Sequence, residues 1–188
     1  MATTTNVSAS TPAIAGAISI APVGTTLPTD ATTALDNAFK TLGYISEDGL
    51  TNSNSPSGDT VKAWGGDPVL MFNADKEDTF GWSMLETLNV DVLKMVYGEE
   101  NVTGTLATGI TVTANNKDVP AKAFVVDMIM REGALKRIVI PSGLLTELGD
   151  ITYTDTDAVA YEVTITAQKD SAGNTHYEYI KSASVTNG

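Results

Sequence analysis

Residues 80–98 read FGWSMLETLNVDVLKMVYG, and two hydrophobic periods meet within this stretch. Phe80, Trp82 and Met84 alternate with small or polar residues, which is the two-residue period of a β-strand with one buried face. In the second half of the stretch the apolar residues return every three or four positions, which is the period of an amphipathic helix. We therefore predict a buried strand that leads into a short helix over residues 89–97.

The residues at the two ends of this helix support the same boundaries. Asn89 is a residue type that caps helix starts, because its side-chain oxygen can accept a hydrogen bond from a free backbone N–H group. Asp91 falls in the first turn, where the helix dipole favours an anion. Gly98 suits the left-handed conformation that often follows a last helical residue. These signals predict one well-delimited helix.

Strand patterns continue on both sides of this helix. They are rich in Thr, Val, Ile and Tyr, which favour strands, and they do not alternate with further helices as a parallel sheet would require. The predicted strands cover residues 14–21, 41–47, 80–84, 110–113, 122–131, 135–140, 159–166 and 175–181, with Pro141 expected to end one of them. The sequence therefore predicts a mainly β fold, an antiparallel β-sandwich or barrel with one flanking α-helix.

The chain divides into one domain and two terminal segments. Residues 1–13 are small and polar and predict a flexible N-terminal arm, residues 14–181 form the domain, and residues 182–188 form a C-terminal tail. Within the domain, residues 47–66 are polar and rich in turn formers, and predict a long loop or a hairpin. This loop carries Trp64, which we interpret either as an interface anchor or as a lid on its own chain.

Composition and charge exclude several classes of protein. The 42% of hydrophobic residues provide enough apolar material for a core, which excludes a disordered chain. A formal net charge of −12, from 11 Lys and Arg against 23 Asp and Glu, opposes binding to nucleic acid or to an anionic membrane by charge attraction. The absence of Cys excludes disulfides and thiolate chemistry. No stretch approaches the ~18 apolar residues of a membrane span, and the first basic residue is Lys40, so we expect neither membrane association nor general export.

Catalytic and metal-binding motifs are also missing from the sequence. His176 is the only histidine, so no histidine pair or catalytic triad can form. No nucleotide-binding, zinc-protease or hydrolase motif is present. Asp150, Asp155 and Asp157 are acidic residues close together, but their spacing does not fit a calcium-binding loop, so we interpret them as a solvated turn. We expect no enzyme activity, no cofactor and no metal.

Several segments, taken in order, resemble the major tail tube protein of long-tailed, non-contractile bacteriophages. The resemblance spans residues 14–181. The segments that carry it are LGYISEDGL (42–50), VKAWGG (61–66), the strand-to-helix stretch 80–98, IVIPSG (138–143), GDITY (149–153) and YEVTIT (161–166).

The resemblance implies a structural virion protein that is made in the host bacterial cytoplasm. It implies a homo-oligomer, in hexameric rings that stack into a hollow tube through which DNA passes without specific binding. Implied partners are a tape-measure protein inside the tube and the tail terminator and distal tail proteins at its ends. Some relatives carry an added immunoglobulin-like domain at the C-terminus, which we do not expect in this chain.

The resemblance also implies which surfaces make contacts between subunits. The long loop is expected to reach a neighbouring ring, with the terminal arms helping to lock the stack. The candidate contact residues are Glu47, Asp48, Val61, Lys62 and Trp64.

An acidic lumen would keep DNA from adhering to the wall, since like charges repel over the ~8 Å screening length. Asp127 interrupts an apolar strand, and we predict that it faces the lumen.

Two other functions remain compatible with the sequence. A different virion component, such as a head-decoration or head-to-tail joining protein, would share the acidic, β-rich character. A secreted carbohydrate-binding sandwich could use Trp64 with Tyr177 and Tyr179 as a stacking platform. The missing export signal counts against the second alternative.

Overall fold

The computed structural model describes residues 7–12 and 16–182, with only the backbone described for residues 56–59 and 72–75. Within these residues the chain forms eleven strands and one α-helix. In chain order they are β1 (Ser10–Pro12), β2 (Ile18–Pro22), β3 (Lys40–Thr41), β4 (Thr51–Lys62), β5 (Pro68–Met84), α1 (Val90–Tyr97), β6 (Val102–Thr105), β7 (Gly109–Val112), β8 (Lys122–Met130), β9 (Leu135–Leu148), β10 (Tyr161–Ala167) and β11 (Tyr177–Lys181).

Nine of these strands belong to one antiparallel hydrogen-bonded sheet. Seven lie in the order β3-β2-β8-β9-β10-β5-β4, while β1 pairs with β8 and β11 pairs with β9. Although β9 and β10 separate β8 from β5 in this order, the rings of Phe124 on β8 and Trp82 on β5 lie 5.7 Å apart. The sheet therefore folds over into two layers that pack face to face. This arrangement confirms the predicted antiparallel sandwich.

The core lies between these two layers and under the helix. Its members follow the two-residue alternation of the strands, and Trp82 is among them, as its position beside Phe80 and Met84 predicts. The largest fully buried side chains are Phe80, Phe124, Ile18, Leu42, Met84, Ile140, Ile165, Val92, Val125, Val126, Val139 and Val163.

Helix α1 confirms the boundaries that the sequence predicts. The Asn89 side-chain oxygen accepts a hydrogen bond from the Asp91 backbone N–H at 3.0 Å, and Gly98 closes the helix at a φ of 93°. The buried face of the helix consists of Val92, Leu93, Met95 and Val96, which join the core of the sandwich.

Residues 47–66 do not form a loop throughout, because most of them belong to a β-hairpin. A turn at Glu47 and Asp48 leads into β4, which pairs with β5 from Thr51 to Lys62. The predicted loop is thus one strand of a pair, and its partner is the segment that follows Gly66. The structure supports the hairpin alternative. The loop alternative arose because β4 contains Asn, Pro, Gly and Asp, which disfavour strands in isolation.

The N-terminal arm differs in part from its predicted form. Part of the predicted N-terminal arm forms β1, whose three residues pair with residues 128–130 of β8; the rest of the arm that the structure describes is residues 7–9. Of the predicted C-terminal tail at 182–188, residues 183–188 lie outside the described residues, as do residues 1–6 and 13–15.

Pro141 does not end a strand as predicted, because β9 continues through it to Leu148. The pairing between β8 and β9 shifts register between Lys122 and Phe124, opposite Pro141, where a β-bulge removes the need for a backbone N–H donor.

Gly143 marks the point where β9 passes from one layer to the other, since it pairs with Lys122 of β8 and with Ala167 of β10. A Cβ atom at this position would lie 2.8 Å from Ile165 Cδ1 and 2.9 Å from Phe124 Cε2. We predict that Gly143→Ala lowers the free energy of unfolding by about 1–3 kcal/mol through overpacking, as measured by urea denaturation.

Gly81→Ala is the matched control for this change. A Cβ atom on Gly81, also within a paired strand, would meet its nearest neighbour at 3.7 Å, an ordinary contact. Equal stability losses in the two variants would contradict the packing explanation for Gly143.

Candidate assembly surface

The β4–β5 hairpin extends beyond the sandwich. Strand β10 pairs with β5 only from Thr79 to Met84. Strand β4 pairs with β5 over a longer stretch, from Pro68 to Gly81 of β5. Residues 55–77 therefore form a two-stranded ribbon that no third described strand supports. At ~3.3 Å per residue the ribbon projects about 33 Å from Asp78 to its tip. Isolated two-stranded hairpins are only marginally stable in water, so a ribbon of this length needs a surface to pack on.

The outer part of the ribbon carries large apolar side chains in solvent. They lie between 46% and 107% exposed, on both faces of the ribbon and at its tip. They are Val61, Trp64, Val69, Leu70 and Met71. Exposed apolar groups concentrated in this way mark interaction sites on soluble proteins. Trp64 is the most exposed of them, which removes the interpretation of Trp64 as a lid on its own chain.

The candidate contact residues from the sequence fall into two separate places. Val61, Lys62 and Trp64 lie together at the tip of the ribbon. Glu47 and Asp48 lie in the turn before β4, where Asp48 accepts a hydrogen bond from the Ser46 hydroxyl at 3.3 Å. Ten residues of β4, Thr51 to Thr60, lie between the two groups, which corresponds to about 33 Å. They cannot form one contact site.

The sequence interpretation missed the other half of the tip. Val69, Leu70 and Met71 belong to β5, directly across the hairpin from β4, and Leu70 pairs with Val61. The apolar run PVLMF at 68–72 was the available signal, because such a run after a Gly-Gly turn is typical of a returning strand.

Asp127, the lumen-facing candidate, forms an ion pair with Arg137 on the neighbouring strand. Arg137 Nε and Nη2 donate to the two carboxylate oxygens of Asp127 at 2.6 and 3.1 Å. Bidentate pairs of this kind are strong and fix geometry. The Asp127 charge is therefore compensated within the chain, while the position of Asp127 on the lumen surface stays a prediction.

Arg137 also holds a connecting segment against the sheet. It is 6% exposed, and its Nη1 donates to the backbone carbonyls of Asp30 and Thr33 at 3.1 and 2.7 Å. The Asp30 carboxylate in turn accepts hydrogen bonds from the Thr33 hydroxyl and from the backbone N–H groups of Thr33 and Thr32, and these hold the pKa of Asp30 well below its usual value. This network covers the face of the sheet opposite the core.

A buried carboxylate fixes the base of the ribbon. Asp78 is 2% exposed and accepts hydrogen bonds from the Thr175 hydroxyl at 2.6 Å and the Asn52 amide at 2.9 Å. The Nδ1 atom of His176 contacts the same carboxylate, and the His176 ring packs edge-on against Phe80. Asp78 thereby ties β4, β5 and the segment before β11 together where the ribbon leaves the sandwich.

Burial alone would raise the pKa of Asp78, but the hydrogen bonds from Thr175, Asn52 and His176 outweigh it and hold that pKa below its usual value. A carboxylate with a lowered pKa in the folded state stabilises the fold above its unfolded pKa of ~3.9, and this contribution is lost as the pH falls through the folded value.

We predict that Asp78→Ala costs about 1–3 kcal/mol in the free energy of unfolding at pH 7, because it leaves buried donors without an acceptor. The difference from the unmodified chain should shrink below about pH 4. Urea denaturation at pH 7 and pH 3 measures both values, with the exposed Asp155→Ala as the control. A difference that stays constant across this range would show that Asp78 does not act through its charge.

The described residues contain no group of three or more His, Asp or Glu side chains arranged to hold a metal ion. No helix within the described part of the chain is long and apolar enough to cross a bilayer.

Comparison with known proteins identifies the family. A search of curated protein sequences finds no significant match. The sequence model of one protein family, described as "Phage tail tube protein", matches residues 3–187. The match covers both strands of the ribbon and the whole sandwich. The chain therefore belongs to the phage tail tube protein family, whose members are structural, non-enzymatic components of the virion.

Proposed function

We propose that this chain is the major tail tube subunit of a long-tailed, non-contractile bacteriophage. In this proposal identical copies form rings, most simply hexamers, and the rings stack into a hollow tube through which DNA is delivered to the host. The observation that carries the proposal is the ribbon with its apolar tip, which extends about 33 Å beyond the sandwich and has no partner surface among the described residues of its own chain.

Open strand edges support assembly with copies of the same chain. Within the described residues, β4 pairs only with β5, and β11 pairs only with β9. The outer edge of each therefore presents backbone N–H and C=O groups to which another chain can bind by strand addition. A ring of identical subunits satisfies such edges by joining each copy to the next.

The acidic composition suits a channel for DNA. The chain carries 23 acidic residues against 11 basic ones, and a negative wall repels phosphate groups at short range. Because Arg137 compensates Asp127, we assign the repulsion to other carboxylates. A tape-measure protein inside the growing tube, with terminator and distal tail proteins at its ends, completes the proposed set of partners. Synthesis takes place in the host bacterial cytoplasm.

We predict that the purified chain forms long hollow tubes, visible by negative-stain microscopy. Trp64→Ala should raise the concentration needed for tube growth about 30-fold, since a central Trp in a contact contributes ~2 kcal/mol or more. Tyr153→Ala, which removes another exposed aromatic side chain, is the matched control.

Each outcome of this experiment has a separate meaning. Tubes from Trp64→Ala at the unchanged concentration would exclude the ribbon tip as a contact. The unmodified chain and both variants could instead give only isolated particles at all concentrations, without tubes or stacked rings. That result would favour a head-decoration or joining protein over a tube subunit.

The charge argument makes a prediction about the assembled tube. We expect a reconstruction of the tube to show more carboxylates than amines on the lumen surface, because a surplus of acidic residues is needed to repel DNA. A neutral or basic lumen would contradict the repulsion mechanism while leaving the tube itself intact.

A further inference from the structure

We propose that the ribbon tip of one copy docks into an apolar depression at the opposite end of β5 in the next copy. The inference rests on the proposed function, because it names the surface that receives the ribbon in a stack of identical subunits. The occupant is therefore a second copy of this chain.

The depression is lined by three exposed leucines from two separate elements. Leu85 and Leu88 come from the turn between β5 and α1, and Leu106 comes from the turn between β6 and β7. These side chains are 37%, 65% and 67% exposed. The depression between them has a volume of about 490 Å³. Exposed apolar side chains that cluster on one surface mark interaction sites. The three leucines therefore indicate that this depression binds a partner.

Hydrogen bonds hold this depression in a fixed shape. The Glu86 carboxylate accepts bonds from the Tyr44 backbone N–H and from the Asn89 side-chain amide, both at 3.1 Å. The Leu85 backbone N–H donates to the Tyr44 carbonyl at 2.9 Å, and Asn89 caps α1. A receptor that is already ordered loses little entropy on binding, which favours docking of a projecting partner.

The direction of the contact follows from the position of its two halves on β5. Trp64, at the tip, precedes the first residue of β5, and the depression begins directly after the last residue of this strand. The strand is 17 residues long, which spans about 56 Å when extended. An extended strand cannot bring its own ends together, so tip and depression must belong to different copies. Repetition of this contact is head-to-tail and does not close, which extends a filament.

The two surfaces are also complementary in chemistry. The tip presents Trp64, the residue type most enriched at the energetic centres of interfaces, where an aromatic side chain buries ~150–250 Å². Lys62 lies beside it and has no ion pair within the described residues. The depression is lined by one carboxylate, Glu86, and by no basic residue. The remainder of the ~800 Å² that a stable interface buries on each partner would come from the sides of the ribbon.

Cross-linking in the assembled state tests this pairing directly, because the native chain has no Cys. Ala63→Cys labels the tip and keeps Trp64, while Thr87→Cys labels the depression and keeps its leucines. The two variants are mixed, assembled and treated with a short bis-maleimide linker. We expect a cross-linked dimer at least tenfold more abundant than in a control mixture of Ala63→Cys with Ser171→Cys, which is exposed on a distant turn.

The failure of this inference differs from that of the proposed function. Tubes could form while Ala63→Cys links equally well to Ser171→Cys and Thr87→Cys, or links to neither of them. Either result would show that the depression is not the receptor and would leave the tube proposal standing. If the unmodified chain forms no tubes under any condition, both proposals are wrong.

A second variant tests the receptor without cross-linking. Leu88→Glu places a charge in the depression and should raise the concentration needed for tube growth at least tenfold. Leu88→Met conserves volume and apolar character and should assemble like the unmodified chain. Because Leu88 is 65% exposed, neither change threatens folding, which the far-ultraviolet circular dichroism of both variants would check. Unaltered assembly of Leu88→Glu would overturn the inference.

Discussion

The length mismatch between β5 and β10 is the constraint on which the rest of the structure depends. Strand β5 has 17 residues and β10 has seven, so the sandwich can support only one end of β5. The supported end, with Phe80 and Trp82, belongs to the core. The unsupported end pairs with β4 alone and becomes a surface without its own covering layer. The same strand therefore contributes both the stability of the subunit and the apolar area that the subunit presents to others.

The junction between these two ends requires a polar anchor. Asp78 is the last residue of β5 before the part paired with β10, and its carboxylate joins three segments that would otherwise separate there. Burying such a charge is unfavourable unless it is well hydrogen-bonded, and its partners meet that condition. A directional, geometrically specific contact thus sets where the core stops and where the ribbon begins.

Much of the fold could be predicted from local pattern. The alternation of Phe80, Trp82 and Met84 and the caps of α1 at Asn89 and Gly98 act within a few residues, so the sequence displays them directly. Strand β4 could not be recognised in this way, because its Asn, Ser and Gly residues form a strand only through pairing with β5. The continuation of β9 past Pro141 could not be recognised for a similar reason. The β-bulge that tolerates Pro141 arises from the pairing of β9 with β8 and is not visible in β9 alone.

The candidate site shows the same division. Trp64 was identifiable because a large aromatic in a polar segment is conspicuous, whereas the depression was not, since Leu88 and Leu106 come together only in three dimensions. Arg137 was within reach of the sequence: a hairpin turning at residues 131–134 places it opposite Asp127, and opposite charges across a strand pair stabilise each other. The ion pair was missed because Asp127 was considered without its neighbour.

The polar composition of β4 affects how unassembled subunits behave at high concentration. Its open edge begins TNSNSP at residues 51–56, and Pro56 has no N–H group, so an incoming strand can pair only with the residues on either side of Pro56. Short polar runs interrupted by Pro are poor seeds for amyloid-like stacking, and mutual repulsion between chains of net charge −12 slows random encounters further. A concentrated store of such subunits is therefore protected from random aggregation, while ordered growth of a tube through complementary surfaces stays open to it.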